Sequence, residues 1–163
     1  MPNLCDNKLV ISGKTLSLYH FRTCIEATKK DNEYRLLNTF MPCPEPLINA
    51  SNEDHHQNEK EYGHKSWYSW RLAHWGVKWE GYHVELTAKP RSLILTFCTA
   101  WVPPIKGLKT ISQYFPGLTF RLHWREEGGE CGREVFRSSH ALSFGSVCSA
   151  KKTKEDDNGK AVS

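Results

Sequence analysis

No stretch of this chain is apolar for long enough to span a bilayer, and Met1-Pro2-Asn3-Leu4-Cys5-Asp6 shows no basic segment followed by an apolar one. A soluble, unexported protein of the cytoplasm, without membrane contact, is the expectation. The six cysteines, Cys5, Cys24, Cys43, Cys98, Cys131 and Cys148, include no Cys-x-x-Cys pair. Zinc sites draw their ligands from such tight pairs, and without an export signal an even cysteine count reads as reduced thiols rather than a disulfide framework. Buried, inert thiols and no metal or other cofactor are expected. Gly-x-Ser-x-Gly, Gly-x4-Gly-Lys-Ser/Thr, His-Glu-x-x-His and a post-strand Gly-x-Gly-x-x-Gly are all missing, as is any solenoid repeat. These absences set aside the common motif-bearing enzymes and leave a binding protein as the expectation.

The chain has 163 residues, enough for one domain with a real core and too few for two ordinary ones. Six tryptophans promise an aromatic-rich core. The net charge of +4 permits an acidic partner without demanding one, because the Lys/Arg excess is spread along the chain.

Lys8 to Ser12 is a short β-branched run ended by Gly13, a strand and a turn. From Thr15 to Ala27, Leu18, Phe21, Cys24 and Ile25 recur at the spacing that lines one side of a helix. Asn32 to Ser66 holds Pro42, Pro44 and Pro46 and then a polar run, and reads as a long insertion. Ser66 suits a helix cap through its hydroxyl; Tyr68, Leu72 and Trp75 follow at helical spacing until Gly76. Three strands alternate more plainly: Tyr82, Val84 and Leu86; then Leu93, Leu95 and Phe97; then Leu118, Phe120, Leu122 and Trp124. The middle one is apolar on both faces, as a central strand would be. Pro103-Pro104 opens a helix with Ile105, Leu108, Ile111 and Phe115 as its stripe, and Cys131 to Arg137 suits a short edge strand.

The order β, α, insertion, β, β, α, β, β predicts an α+β, ferredoxin-like antiparallel sheet with two helices on one face and a helical insertion in the first crossover. One domain over 1–147 is expected, with the insertion at about 32–79 and a disordered tail over 148–163.

Met1-Pro2-Asn3-x-Cys5-x-Asn7-x-Leu9-x-Ile11-Ser12-Gly13, Met41-Pro42-x-Pro44, Trp70-x4-Trp75-Gly76-Val77-Lys78-Trp79 and Thr99-Ala100-Trp101-x-Pro103-Pro104 together resemble the YubB ferredoxin-like family. The resemblance covers about residues 1–137. It implies a ferredoxin-like fold and a mobile-element setting, since members are carried by bacterial plasmids and phages, and it implies no particular activity. A bacterial host cytoplasm follows from that setting.

Four groups of residues invite a chemical reading. His55-His56 suggests a metal pair, but adjacent residues of a strand point to opposite faces, and the two lie in a polar run that reads as a solvated loop. Glu126-Glu127, directly before Gly128-Gly129, reads as a hairpin turn rather than an acid and base. Trp67, Trp70, Trp75, Trp79 and Trp101 make either a satellite core built by the insertion helix or an aromatic binding hollow, with Trp67 and Trp70 its candidates. Arg121, His123 and Arg125 point one way from their strand, and Arg133 and Arg137 share a face of the next. That stripe is either an ordinary charged strand surface or a seat for phosphates or an acidic protein face. The functional expectation is an accessory factor that binds a host protein or complex, such as a defence system, and inhibits or modulates it. Nucleic-acid binding through the basic outer face is the alternative, without base stacking, because Phe97, Phe120 and Trp124 fall on the side the helices cover.

Overall fold

In the computed structural model, which describes residues 2–138, the elements run β1 (Leu4–Gly13), α1 (Thr15–Ala27), α2 (Leu36–Phe40), α3 (Glu45–Ile48), α4 (His55–Tyr62), α5 (Trp67–His74), β2 (Tyr82–Lys89), β3 (Ser92–Ala100), α6 (Ile105–Tyr114), β4 (Leu118–Glu126) and β5 (Cys131–Arg137). The expected tail at 148–163 lies outside the described residues. The five strands form one antiparallel sheet in the order β2-β3-β1-β4-β5. β1 is therefore the central strand, with β3 beside it, where the apolar faces of β3 suggested the centre.

β1 begins at Leu4 rather than Lys8. Its alternation continues through Cys5, Asn7, Leu9 and Ile11, all buried, but Asn7 is an amide where the pattern calls for an apolar side chain. Asn7 Nδ2 donates to the Cys5 carbonyl at 2.8 Å and to Thr99 Oγ1 at 2.9 Å, which offsets part of the cost of burying it. β1 ends at Gly13, whose φ of +148° lies outside the range other residues readily adopt; a Cβ there would collide with the Gly117 carbonyl oxygen.

The inward faces of β1, β3 and β4 meet α1 and α6 in one core. Phe21 of α1 stacks on Phe40 at 5.1 Å and meets Phe115 and Phe120 edge-on. On α6, Leu108 and Ile111 are fully buried, while Ile105 only packs against the rim.

The insertion differs from its sequence expectation. It carries four helices, α2 to α5, and Leu36, Leu37, Phe40, Met41, Cys43 and Leu47 are all buried. His55 and His56 stand in the first turn of α4, not in a loop. Hydrogen bonds fasten this segment within itself and to the strand that follows. Trp75, 1% exposed, donates its indole N–H to the Met41 carbonyl at 2.9 Å. The Glu80 carboxylate, just before β2, accepts the N–H groups of Leu37 at 2.9 Å, Asn38 at 2.6 Å and Gly81 at 3.0 Å. Leu37 and Asn38 are in the first turn of α2, whose amides have no partner within the helix. Burial pushes the Glu80 carboxyl above the usual carboxylate range, against the opposing pull of these three donors and of Arg35.

α5 starts after Ser66, whose hydroxyl makes no capping bond; its carbonyl accepts from the Trp70 N–H instead. Of the expected stripe of Tyr68, Leu72 and Trp75, only Trp75 is buried. Tyr68 and Leu72 are exposed, and Trp70 and Trp75 face the core.

Candidate binding face

Cross-strand pairing assigns most residues of the face opposite the helices. Four rows cross the sheet from β2 to β5: Tyr82, Cys98, Asp6, Arg125 and Cys131; then Glu85, Thr96, Lys8, His123 and Arg133; then Thr87, Ile94, Val10, Arg121 and Val135; then Lys89, Ser92, Ser12, Thr119 and Arg137. Directly opposed residues of a sheet share a face, so all five basic or titratable candidates, Arg121, His123, Arg125, Arg133 and Arg137, lie together, and all five are exposed.

Two of them are held locally. Arg121 Nη1 donates to Ser12 Oγ at 2.9 Å, and Arg137 Nε donates to Thr119 Oγ1 at 3.1 Å. Hydroxyls leave the guanidinium charge uncancelled. Among the described residues the ion pairs within 4.0 Å are Arg22–Glu26 and Lys65–Glu59, and neither is on this face. Over the first two rows the surface is concave, a groove of about 660 Å³ that includes Asp6, Lys8, Glu85, His123, Arg125 and Arg133.

Sequence reading missed three participants. Lys8 is opposite His123, Asp6 is opposite Arg125, and Glu85 is opposite Thr96. Their faces follow from period-two alternation, but their neighbours follow from register, which is not local. Tyr82 was misassigned: a bulge between Tyr82 and Glu85, with His83 at φ +53°, moves Tyr82 out of step with Val84 and Leu86 and onto the outer face opposite Cys98. His83 lines the groove.

Cys98 lies on this face and Cys5 on the helix side of the same sheet. Burial, then the hydrogen bond to Asp6, pushes Cys98 up to about 11, and burial does the same to Cys5. Cys131 is exposed, contrary to the expectation of buried thiols throughout; Cys148 lies outside the described residues. Glu126 and Glu127 fasten the start of β1. Glu126 accepts from Asn3 Nδ2 at 2.8 Å and Glu127 from the Leu4 N–H at 2.9 Å.

Trp67 and Trp70 are not part of this face. They stand on α5, in the helical layer. Trp70 stacks on His74 at 4.2 Å and meets Trp75 edge-on at 6.0 Å, and Trp67 covers the Arg71 guanidinium. Trp75 is part of the main core and Trp70 packs against it, so the tryptophans form no separate satellite core. Trp79 and Trp101 are 41% and 51% exposed.

Two helices on one side of an antiparallel sheet, with the other side open, define a protein of the ferredoxin-like class. The chain belongs to the family described as the ferredoxin-like domain in Api92-like protein, whose model matches residues 74–161, from the end of α5 past the last described residue. A crystal structure of protein Api92 from Yersinia pseudotuberculosis is similar at a TM-score of 0.58 and 10% identity, over 88% of this chain and 97% of that one. At that identity the likeness speaks for the fold. No curated protein matches the chain. The ferredoxin-like fold expected from the element order is shown, and the family that the chain matches is the Api92-like one rather than YubB by name. Among the described residues no helix is long and apolar enough to cross a membrane.

Proposed function

We propose that this protein is a non-enzymatic binding module that docks a protein partner on its outer sheet face. The observation that carries the reading is the uncancelled charge of that face and its division: Arg121, Arg125, Arg133 and Arg137 on the β4–β5 half, Asp6 and Glu85 nearer β2. A protein surface can match both signs, with acids against the arginines and a base against Glu85. Ile94, Val10 and Val135, in one row, supply apolar contact between the charges. The resemblance of the chain's motifs to the YubB ferredoxin-like family supports a phage or plasmid accessory factor acting in a bacterial cytoplasm. A host complex, such as a defence system, whose activity is inhibited or modulated, is the partner such a factor would take.

Nucleic acid is the second reading, supported by the same four arginines and Lys8, which would lie along a phosphate backbone with salt-sensitive affinity. Asp6 and Glu85 weigh against it, as does the small share of exposed aromatic surface on this face. The test is affinity capture from the host with the wild type and with Arg121, Arg125, Arg133 and Arg137 all changed to Glu. A stoichiometric protein retained after nuclease treatment by the wild type and lost by the variant supports the first reading. Recovery that nuclease and salt abolish supports the second, and identical recovery by both chains rejects both.

A further inference from the structure

A second cavity, about 360 Å³, opens where the insertion meets the approach to β2, and no residue lines both it and the outer groove. Its walls carry Tyr34, Arg35, Arg71, Trp79, Glu80 and Tyr82. The volume is at the lower end of what small-ligand pockets occupy.

The notable group is Arg71. Its guanidinium is sandwiched between two indoles, 5.0 Å from the Trp67 ring centre and 4.7 Å from that of Trp75. Nη1 reaches the Lys78 carbonyl only at 3.4 Å, and Nε is buried with no acceptor. Burial holds the Cys43 thiol up, and Arg71 pulls it down through its charge and through a hydrogen bond to the sulfur. Among the described residues no carboxylate lies within 4.0 Å of it. Glu80 shares the cavity, but three backbone N–H groups engage its carboxylate, and burial favours its neutral form.

A planar guanidinium fixed by stacking, with donors to spare and no counter-ion, is pre-organised for a planar anion. Around it the cavity is aromatic, and its lining charges balance in number, Arg35 and Arg71 against Glu33 and Glu80, with the Glu80 carboxylate taken up by three backbone N–H groups. Outside the lining, Lys29 sits 3.9 Å over the Tyr34 ring and Lys78 sits 3.9 Å over Trp79.

We propose that this cavity is a binding site for a small aromatic anion, its carboxylate or phosphate on Arg71 and its ring against Trp79 and Tyr82. Tyr82 belongs to both the cavity and the outer face, but the variants that test this site, at Arg71 and Trp79, leave the outer arginines untouched, so the two proposals fail separately.

Benzoate and phenyl phosphate serve as probes and benzamide as the neutral control, with the indole N–H resonance of Trp79, assigned through Trp79→Phe, as the readout. Saturable shifts are expected with at least one anion, with benzamide at least about tenfold weaker, since it lacks the charge that Arg71 pairs. Arg71→Lys, which keeps the charge and loses the fork, weakens binding of that anion about fivefold or more. Should that variant not fold, Trp79→Ala, at a half-open position, carries the test with the same expected loss, read from assigned backbone amides around the cavity. The proposal is overturned by benzamide binding as well as the anions, by a folded variant that binds like the wild type, or by no saturable shift with either anion up to on the order of 10 mM, the weakest affinity such small ligands warrant.

Discussion

The two sides of the sheet use the same strands for opposite ends. On the helix side β1 contributes Cys5, Asn7, Leu9 and Ile11, all sealed; on the other side the same strand shows Asp6 and Lys8, both exposed. Substitutions on the first side act on stability, because cavities and lost donors there have no solvent to fill the gap. Those on the second act on what the protein meets, because exposed side chains on a folded sheet contribute little to folding. The difference separates the fold from the function, and it is open to attack from either direction.

The largest effect should come from Trp75→Ala, which empties a fully buried site and frees the Met41 carbonyl; a loss of about 3–5 kcal/mol in urea denaturation is expected. A loss under about 1 kcal/mol would mean that the insertion is not part of the core. Gly13→Ala comes next, at about 1–3 kcal/mol, from forcing a side chain into a positive-φ site against the Gly117 backbone, and thermal melting measures it.

Glu80 sharpens the comparison through pH. Its folded pKa is raised, so between the ordinary carboxylate value and the folded one the native chain holds more protons than the unfolded chain, and stability falls as pH rises through that window. Glu80→Gln removes the titration. The stability of the wild type minus that of Glu80→Gln should therefore be greatest at low pH and shrink as pH rises, followed by urea melts from acid to neutral pH; a difference that grows would reverse the assignment. The smallest effect on stability belongs to Arg121→Glu, Arg125→Glu and Arg133→Glu, each within about 0.5 kcal/mol of the wild type, while capture of the partner is lost. Destabilisation by several kcal/mol would show that the outer face is part of the folding core after all.

Much of this was legible from residue order. α1, α6 and strands β2 to β4 declare themselves because each repeats its apolar period over enough residues for it to show, and α1 spans Thr15 to Ala27 as read. The insertion was opaque for the converse reason. α2 has five residues and α3 four, less than two turns, so Leu36, Leu37, Phe40 and Leu47 never repeat often enough to register as a face, and three prolines punctuate them. α5 misled in part because apolar or aromatic residues stand on more than one side of it; Trp75 is buried as its spacing suggested, whereas Tyr68 and Leu72 are exposed and Trp70 packs against the core in their place. For the candidate face, period two placed Arg121, His123 and Arg125 together, whereas Asp6, Lys8 and Glu85 needed the register of strands far apart in sequence. Neither the bulge that moves Tyr82 nor the orphaned Nε of Arg71 has a sequence signal.

The Glu80 staple couples α2 to the approach to β2, and Trp75, itself in the core, holds the end of α2 through the Met41 carbonyl. Amide protons of α2 should exchange with solvent at the slow pace of β1, in one cooperative opening of the whole unit rather than in an earlier, local one.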